Sequence, residues 1–473
     1  MLLASTFTID VLARRLSLLF SGRPARCVFG HGCLLSRRLV GAHAELRCNG
    51  STNLLVYRRG VRVFSLSILI VTLARAASAQ SPAPYAVVFD QYMTPLAGAE
   101  DLVTTQHLLA TLEDRWIPLK LGTESTRLSV ARGALYRAGK FIAIDVPQEH
   151  MLMVVAHEVF GHGARFRELG DGRIGYGFDA PIPYGSGDAY TSFSGQFPVS
   201  PLAHMSVSAS GIEAQHSLAD AITDRAVARG RIHYREAWLY FESRLTGMTY
   251  ILTASENSRE GHDVADFLEL FEDACKAPCS PLTRRYVQDR ALLALADPLL
   301  FYALYGVAGS YIGDGSPTGP MPLIPVGRGV RMLPSLGYAL APYGAEWTVR
   351  TSWSMPRVDR RKLTHLVLRV GNTGASTTWG LTARVADVWR FKGLQIDTAV
   401  NVWRQPDVFG DETSAPLGTG AGATGTVLVP LPGFLRSRWS DALHVTAGYK
   451  ARGYIPGEQL SRGALLRAGV TLR

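Results

Sequence analysis

The sequence predicts an α+β protein, with a mainly helical region at residues 80–325 followed by an antiparallel β region at residues 330–473. Apolar residues recur at helical spacing through most of the first region, for example in GIEAQHSLADAITDRAVARG and DVADFLELFEDA. From residue 330, about eight segments of roughly ten residues alternate apolar and polar residues between turns, which is typical of β-strands. A glycine-rich stretch at residues 170–198 interrupts the helical region and predicts loops with short strands.

Residues 1–79 differ from the rest of the chain in charge. They contain 11 arginines, no lysine and two acids, a net charge of +9, whereas the remainder has 38 basic and 37 acidic residues. Within them, YRRGVRVFSLSILIVTLARAASAQ places arginines, an apolar run and a small-x-small site in the order of a secretory signal peptide. We expect a misassigned upstream segment plus a signal peptide, with a mature start at Gln80. A genuine N-terminal domain or a transit peptide is the alternative.

The near-balance of charge after residue 79 removes the electrostatic argument for a nucleic-acid partner. The cysteine content also agrees with export. Only two cysteines, Cys275 and Cys279, follow residue 79. These two cysteines lie four residues apart around Pro278 and can close a local disulfide in an oxidising compartment. Two buried free thiols are the alternative.

The β region predicts a membrane β-barrel, or part of one. Apolar and polar residues alternate along its predicted strands. The sequence also has an export signal, Trp and Tyr near the strand ends and a final strand that reaches the C-terminus. This combination resembles an outer-membrane β-barrel. We therefore expect a protein of the periplasm or outer membrane of a Gram-negative bacterium, with the membrane as a partner. A soluble sheet is the alternative, because a sandwich alternates in the same way.

The stretch VVAHEVFGHGARF places Glu158 directly after His157 and a second histidine, His162, four residues further on. Zinc prefers imidazole nitrogens and carboxylate oxygens. In a regular α-helix, residues five apart differ by about 140° around the axis, so the two histidines could not reach one ion. A π-type bulge would align them, and Gly161 suits such a distortion. A shared metal ion therefore requires a bulge over Val159–Gly161.

The segment HEVFGH resembles the H-E-x-x-G-H motif of the dipeptidyl peptidase III family of zinc exopeptidases. The resemblance implies that His157 and His162 bind Zn²⁺ and that Glu158 activates water as a general base. It also implies a third ligand, Glu213, which stands 51 residues after His162. We therefore expect a zincin-like domain that acts on a peptide or protein substrate. The resemblance covers two short helices, and Ile212 stands where the family has an acidic residue.

Several neighbouring residues are candidates to support the metal ligands. His150 lies seven residues before His157, and Asp220 and Asp224 share a helical face with Glu213, so all three are candidates to orient a ligand. Solvated helix acids are the alternative reading of the two aspartates. His216 competes with Glu213 for the role of third ligand. The loop at residues 170–198 either borders the cleft or forms a surface hairpin.

Two further functions stay open at this point. One is an outer-membrane β-barrel protein whose structural or vestigial metal site acts in binding or assembly. The other is a zinc hydrolase that cleaves a non-peptide amide or ester of the envelope. Glu158 argues weakly against a purely structural zinc ion, which needs no general base and usually has four protein ligands.

Overall fold

The computed structural model describes residues 83–121, 125–185, 189–255, 261–356, 361–433 and 440–472. The predicted upstream segment and signal peptide, together with the mature start at Gln80, lie outside these residues. The described helices and strands belong to one compact unit. Secondary structure changes from helices to strands between residues 313 and 330, as the sequence predicts.

Nine α-helices are described in this part of the chain. They are α1 (Pro95–Glu113), α2 (Arg127–Lys140), α3 (Val146–Val155), α4 (Gly163–Leu169), α5 (Pro201–Arg229), α6 (Tyr234–Thr253), α7 (Asp263–Ala274), α8 (Arg284–Ala291) and α9 (Pro298–Tyr305). Three π-helical segments (Phe141–Asp145, Ala156–His162 and Gly306–Gly313) and a 3₁₀ segment (Leu292–Ala296) continue some of these helices.

The helix that carries the histidine motif is longer than its sequence pattern indicates. The pattern places its start near Pro147, whereas the structure has continuous helix from Arg127 to Leu169 through two π segments. Proline lacks a backbone N–H and its ring crowds the carbonyl four residues earlier, which normally ends or kinks a helix. Here the π segment Phe141–Asp145 ends two residues before Pro147, so the irregular turn coincides with the missing hydrogen bond.

Ten strands form one antiparallel sheet in the order β1-β14-β13-β12-β11-β10-β9-β8-β7-β6. Their bounds are β1 (Tyr85–Asp90), β6 (Ile324–Gly327), β7 (Val330–Ala341), β8 (Gly344–Pro356), β9 (Arg361–Asn372), β10 (Thr377–Phe391), β11 (Leu394–Gln405), β12 (Gly418–Pro430), β13 (Ser440–Lys450) and β14 (Gly463–Leu472). The eight strands predicted after residue 330 correspond to β7 to β14. Among the described residues the sheet is open, with β1 and β6 at its edges, so closure into a barrel is not confirmed.

Two short hairpins complete the β-structure of the described chain. Strands β2 (Asp171–Phe178) and β3 (Ala189–Gln196) form the hairpin predicted as short strands in the glycine-rich stretch. Strands β4 (Arg231–His233) and β5 (Thr318–Pro320) pair separately. Cys275 and Cys279 form the disulfide that their spacing allows.

Most of the helices pack on one face of the ten-stranded sheet, and charged groups hold part of that interface. Helix α5 is buried along most of its length and contacts β7, β8 and β9. Arg350 of β8 lies 2.8 Å from Asp220 of α5 and also pairs with Asp224. The hydrophobic core lies mainly among the helices, in two clusters. The sheet therefore turns a polar face towards the helices.

No single described helix is long and apolar enough to cross a membrane. One bent pair of helices, taken together, has the length and apolar composition that a membrane span requires. This pair comprises Arg284–Ala296 and Pro298–Gly313, with a bend of 55° between them. Asp297 separates the two parts, and its side chain accepts a hydrogen bond from the Leu299 N–H at the start of α9.

Candidate metal centre

The π segment Ala156–His162 brings the two motif histidines together. The Gly163 N–H donates to the Glu158 carbonyl, five residues earlier, as π-helical geometry requires. The imidazole rings of His157 and His162 are in edge-to-face contact, with their centroids 4.9 Å apart. The bulge required by the five-residue spacing is therefore confirmed.

Two glycines allow α5 to approach this segment closely. A Cβ atom at Gly161 would lie 2.7 Å from the Ser210 carbonyl oxygen, and one at Gly211 would lie 2.3 Å from the His157 ring. Neither glycine has a positive φ angle. Their role is thus to remove side-chain volume where α5 meets the histidine segment.

Helix α5 also fixes the orientation of His162. Its Nδ1 lies 2.8 Å from the Val207 carbonyl oxygen and 3.4 Å from Ser210 Oγ. A backbone carbonyl can only accept, so Nδ1 carries the hydrogen and Nε2 is left to face a metal ion or an acid. A carbonyl that fixes the tautomer in this way is typical of metal-binding histidines.

A carboxylate that sequence reasoning did not select faces both histidines. Asp263, the first residue of α7, places Oδ2 3.0 Å from His157 Nε2 and 3.1 Å from His162 Nε2. Two ligands of a tetrahedral zinc ion, each about 2.1 Å from it, lie about 3.4 Å apart. Each Nε2 atom thus lies a few tenths of an ångström closer to the Asp263 carboxylate than it would across a shared zinc ion.

Glu158 belongs to the same cluster. His157, Glu158 and His162 offer ligand atoms within 4.8 Å of one another, so this group could hold a metal ion. The side chains of His157, His162 and Asp263 are 13%, 8% and 16% exposed, which places the cluster just below the surface. The candidate donors are thus two imidazoles and the Glu158 carboxylate, and the Asp263 carboxylate faces both imidazoles from α7.

The charges of this cluster are strongly coupled. Burial alone would lower the pKa of His162, but the neighbouring Asp263 carboxylate raises it to about 9. Burial alone would raise the pKa of Asp263, but the charge on His162 and hydrogen bonds from both histidines hold it well below its usual range. Asp263 is therefore ionised at neutral pH, and its charge keeps a proton on His162 in the metal-free protein.

The hairpin β2–β3 borders this cluster. Thr191 of β3 places its Oγ1 2.7 Å from Glu158 Oε2, to which it donates, and 3.0 Å from the Glu158 carbonyl oxygen. The loop at residues 170–198 therefore lines the site, which decides between the two interpretations that its sequence allowed.

Tyr250 of α6 forms another wall of the site. Its ring packs edge-to-face against His157, with centroids 5.9 Å apart, and stacks on His262 at 4.3 Å. Burial and the charge of Asp263 raise the pKa of the Tyr250 phenol above its usual value. The phenol therefore stays protonated at neutral pH and can donate a hydrogen bond.

Glu213 does not join the histidines, and its predicted role as third ligand needs correction. Its carboxylate forms a buried two-oxygen ion pair with Arg165 of α4, at 2.7 and 2.8 Å, and accepts from the Gly457 N–H at 2.6 Å. Gly211 faces His157, and two residues further along α5 the helix has turned by about 200°. Glu213 consequently points to the opposite side of α5, and the carboxylate that faces the two histidines is Asp263.

The other predicted supporting residues also lie elsewhere. Asp220 forms ion pairs with Arg244 of α6, at 2.9 Å, and with Arg350 of β8. Asp224 also pairs with Arg350. These two acids therefore connect α5 to α6 and to the sheet, and they do not orient a motif histidine. His150 is 3.9 Å from Glu242. Burial lowers the pKa of His216 to about 3, so this half-buried side chain of α5 is neutral.

Glu213→Gln is expected to lower the free energy of unfolding of the metal-free protein by about 3 kcal/mol, because it leaves the buried Arg165 undercompensated. The value is at the lower end of the usual range because Glu168 still pairs with Arg165 at 3.0 Å. Zinc affinity should change little. Denaturant unfolding and zinc titration test both expectations, and a variant of wild-type stability that no longer binds zinc would restore Glu213 as a ligand.

A cavity of ≈ 350 Å³ lies beside the cluster, between α4, α5 and α7. Val207, whose carbonyl holds His162, lines it, as does Asp266, one turn after Asp263 on α7. The histidines themselves are not among its lining residues. It therefore adjoins the metal centre rather than containing it.

The fold and the site together define an α+β protein with a candidate metal centre on a π-helical segment. No protein-family model, curated protein or solved structure matches this chain. Functional conclusions consequently depend on the residues and contacts described above.

Proposed function

We propose that this chain is a zinc-dependent hydrolase that cleaves peptide bonds. The observation that carries the proposal is the convergence of His157 Nε2 and His162 Nε2 on the Asp263 carboxylate, with Glu158 beside them. Two imidazoles and one carboxylate form a ligand set used by catalytic zinc sites, which keep a further position open. When bound, zinc would supply a water ligand of lowered pKa and polarise the scissile carbonyl.

Glu158 is the residue we assign to proton transfer. Thr191 holds one carboxylate oxygen, Oε2, by a hydrogen bond, and Oε1 is left to accept a proton from the attacking water. The protonated carboxyl can then donate that proton to the leaving amine as the peptide bond breaks. Because Glu158 is mostly buried and held on a helical segment, its carboxylate is positioned before the substrate binds.

A peptide substrate is supported by the strand next to Glu158. Strand β3 pairs with β2 on one side only, in a two-stranded sheet within the described chain. An extended peptide can add to such an edge through main-chain hydrogen bonds. Thr191 lies on this strand, so a peptide bound along β3 would pass close to the Glu158 carboxylate.

Removal of zinc tests this proposal. Incubation of the purified protein with a strong chelator should abolish hydrolysis of a mixed peptide library, and stoichiometric Zn²⁺ should restore it. Ester and non-peptide amide substrates are assayed in parallel. Full peptide hydrolysis by metal-free protein would contradict the proposal, whereas zinc-dependent activity confined to esters or other amides would replace its substrate class.

Zinc affinity should depend strongly on pH. The Asp263 carboxylate raises the pKa of His162 to about 9, so in metal-free protein His162 keeps its proton at neutral pH. Zinc must displace this proton, and the apparent affinity should therefore rise about tenfold per pH unit from pH 7 to about pH 9 and then level off. Competition with a chromogenic chelator measures the slope, and an affinity that is constant over this range would disprove the expectation.

A further inference from the structure

Across strands β11 to β14 and β1, the two faces of the sheet have reversed polarity. Two adjacent rows of paired residues cross strands β11, β12, β13, β14 and β1. The row that faces the helices is Asp397, Thr426, Thr446, Arg467 and Asp90. The row that faces outwards is Ile396, Val427, Val445, Ala468 and Phe89. In a soluble sheet packed on helices the apolar row would face inwards and the polar row would face water.

The outward face is apolar over many adjacent strands, and much of it is exposed. Large hydrophobic side chains on β1 and β8 to β14 that are exposed by at least a third are Phe89, Val349, Leu366, Leu368, Val370, Trp379, Val388, Trp389, Phe391, Val400, Tyr449, Leu466 and Val470. Among the described outward residues of β8 to β11, charges such as Lys362 and Arg404 stand at the second or second-last position of a strand. Exposed apolar surface of this extent marks an interaction site.

Aromatic residues stand near both ends of the outward face. Trp347 and Trp379 lie opposite Val370 in one row near one end, and Trp353 and Trp389 lie towards the other end of β8 and β10. Because β10 bulges between them, Trp379 and Trp389 pair with positions eight residues apart on β11, about 26 Å along the strand. At a strand tilt of about 40° this corresponds to about 20 Å across the face, so both positions fall within the apolar band of about 25 Å that membrane β-proteins have.

We propose that this outward face contacts the acyl chains of a phospholipid bilayer. Aliphatic residues in the middle of the band and aromatic residues at its edges match the hydrocarbon core and its two interfaces. A soluble partner would require no such order across the sheet. The polar inward face is already satisfied by the helices, for example by the pairing of Arg350 with Asp220 and Asp224. The proposal is independent of the metal centre.

Tryptophan quenching in lipid vesicles tests it. The full chain is reconstituted in phosphatidylethanolamine–phosphatidylglycerol vesicles whose acyl chains are either unmodified or brominated. Brominated lipid should quench the tryptophan fluorescence of the wild type. The double variant Trp379→Phe/Trp389→Phe should lose at least half of the quenched signal, since it removes the two tryptophans of β8 and β10 that are at least 40% exposed, whereas Trp347 packs against the buried Tyr338.

Trp403→Phe is the matched control, because Trp403 lies on β11 but is buried on the inward face at 1% exposure. This variant should leave the quenched signal unchanged. The proposal fails if brominated lipid does not quench the wild type, or if the double variant loses no more signal than the control. It also fails if the protein forms discrete detergent-free oligomers in which the outward tryptophans are shielded from aqueous iodide.

Discussion

Glu158→Gln is expected to lower kcat for peptide hydrolysis by about 10²- to 10⁴-fold while the protein keeps its zinc. Glutamine has nearly the same shape and can still accept the hydrogen bond that Thr191 donates to Glu158 Oε2. It cannot take a proton from water at neutral pH. The loss should therefore appear in kcat, with little change in KM, because the side chain acts on the reacting atoms rather than on substrate binding.

Glu272→Gln is the matched control, since this exposed glutamate of α7 lies outside the cluster. It should leave both kcat and zinc content unchanged. Metal analysis of each preparation distinguishes a lost base from a lost ion. Undiminished hydrolysis by zinc-loaded Glu158→Gln would remove Glu158 from the mechanism, and loss of zinc in that variant would make Glu158 a ligand instead.

Asp263→Ala is expected to lower zinc affinity by more than about 100-fold. Removal of a residue that only orients a metal ligand usually lowers metal affinity by about 10- to 100-fold, so a larger loss indicates a direct ligand. The variant removes a carboxylate that contacts Nε2 of both His157 and His162. It should also lower the pKa of His162, because the Asp263 charge is what raises it. Zinc titration measures the first effect, and histidine resonances followed against pH in metal-free protein measure the second.

Asp273→Ala offers a control on the same helix, where the side chain is exposed. Its zinc affinity should match the wild type. If Asp263→Ala and Asp273→Ala bind zinc equally well, then Asp263 is only a hydrogen-bond partner of the histidines. If Asp263→Ala retains zinc and Glu213→Gln loses it, the ligand set implied by the motif resemblance is restored.

The local features of the metal centre could be predicted from the sequence. The spacing of His157 and His162 allows one shared ion only if the helix is widened, and the structure has a π segment there. The alternating pattern after residue 330 also located strands β7 to β14, because side-chain direction in a strand depends on immediate neighbours. Both inferences concern residues close together in the chain.

The carboxylate that faces both histidines could not be predicted in this way. Asp263 follows His162 by 101 residues, and its position depends on how α7 packs against α5. Glu213 has the sequence distance that the motif resemblance implies, but the rotation of α5 turns it towards Arg165. The pairing of β1 with β14 was missed for the same reason, since it joins residues almost 400 positions apart in the chain. Long-range packing leaves no local periodicity to detect.

The most direct test is an anomalous-scattering measurement at the zinc absorption edge on crystals of the zinc-loaded protein. The account predicts one strong peak within about 2.0–2.2 Å of His157 Nε2, His162 Nε2 and an Asp263 carboxylate oxygen. Glu158 should lie beside the ion without replacing any of these ligands. A peak bound by Glu213, or the absence of any peak between the two histidines, would contradict it.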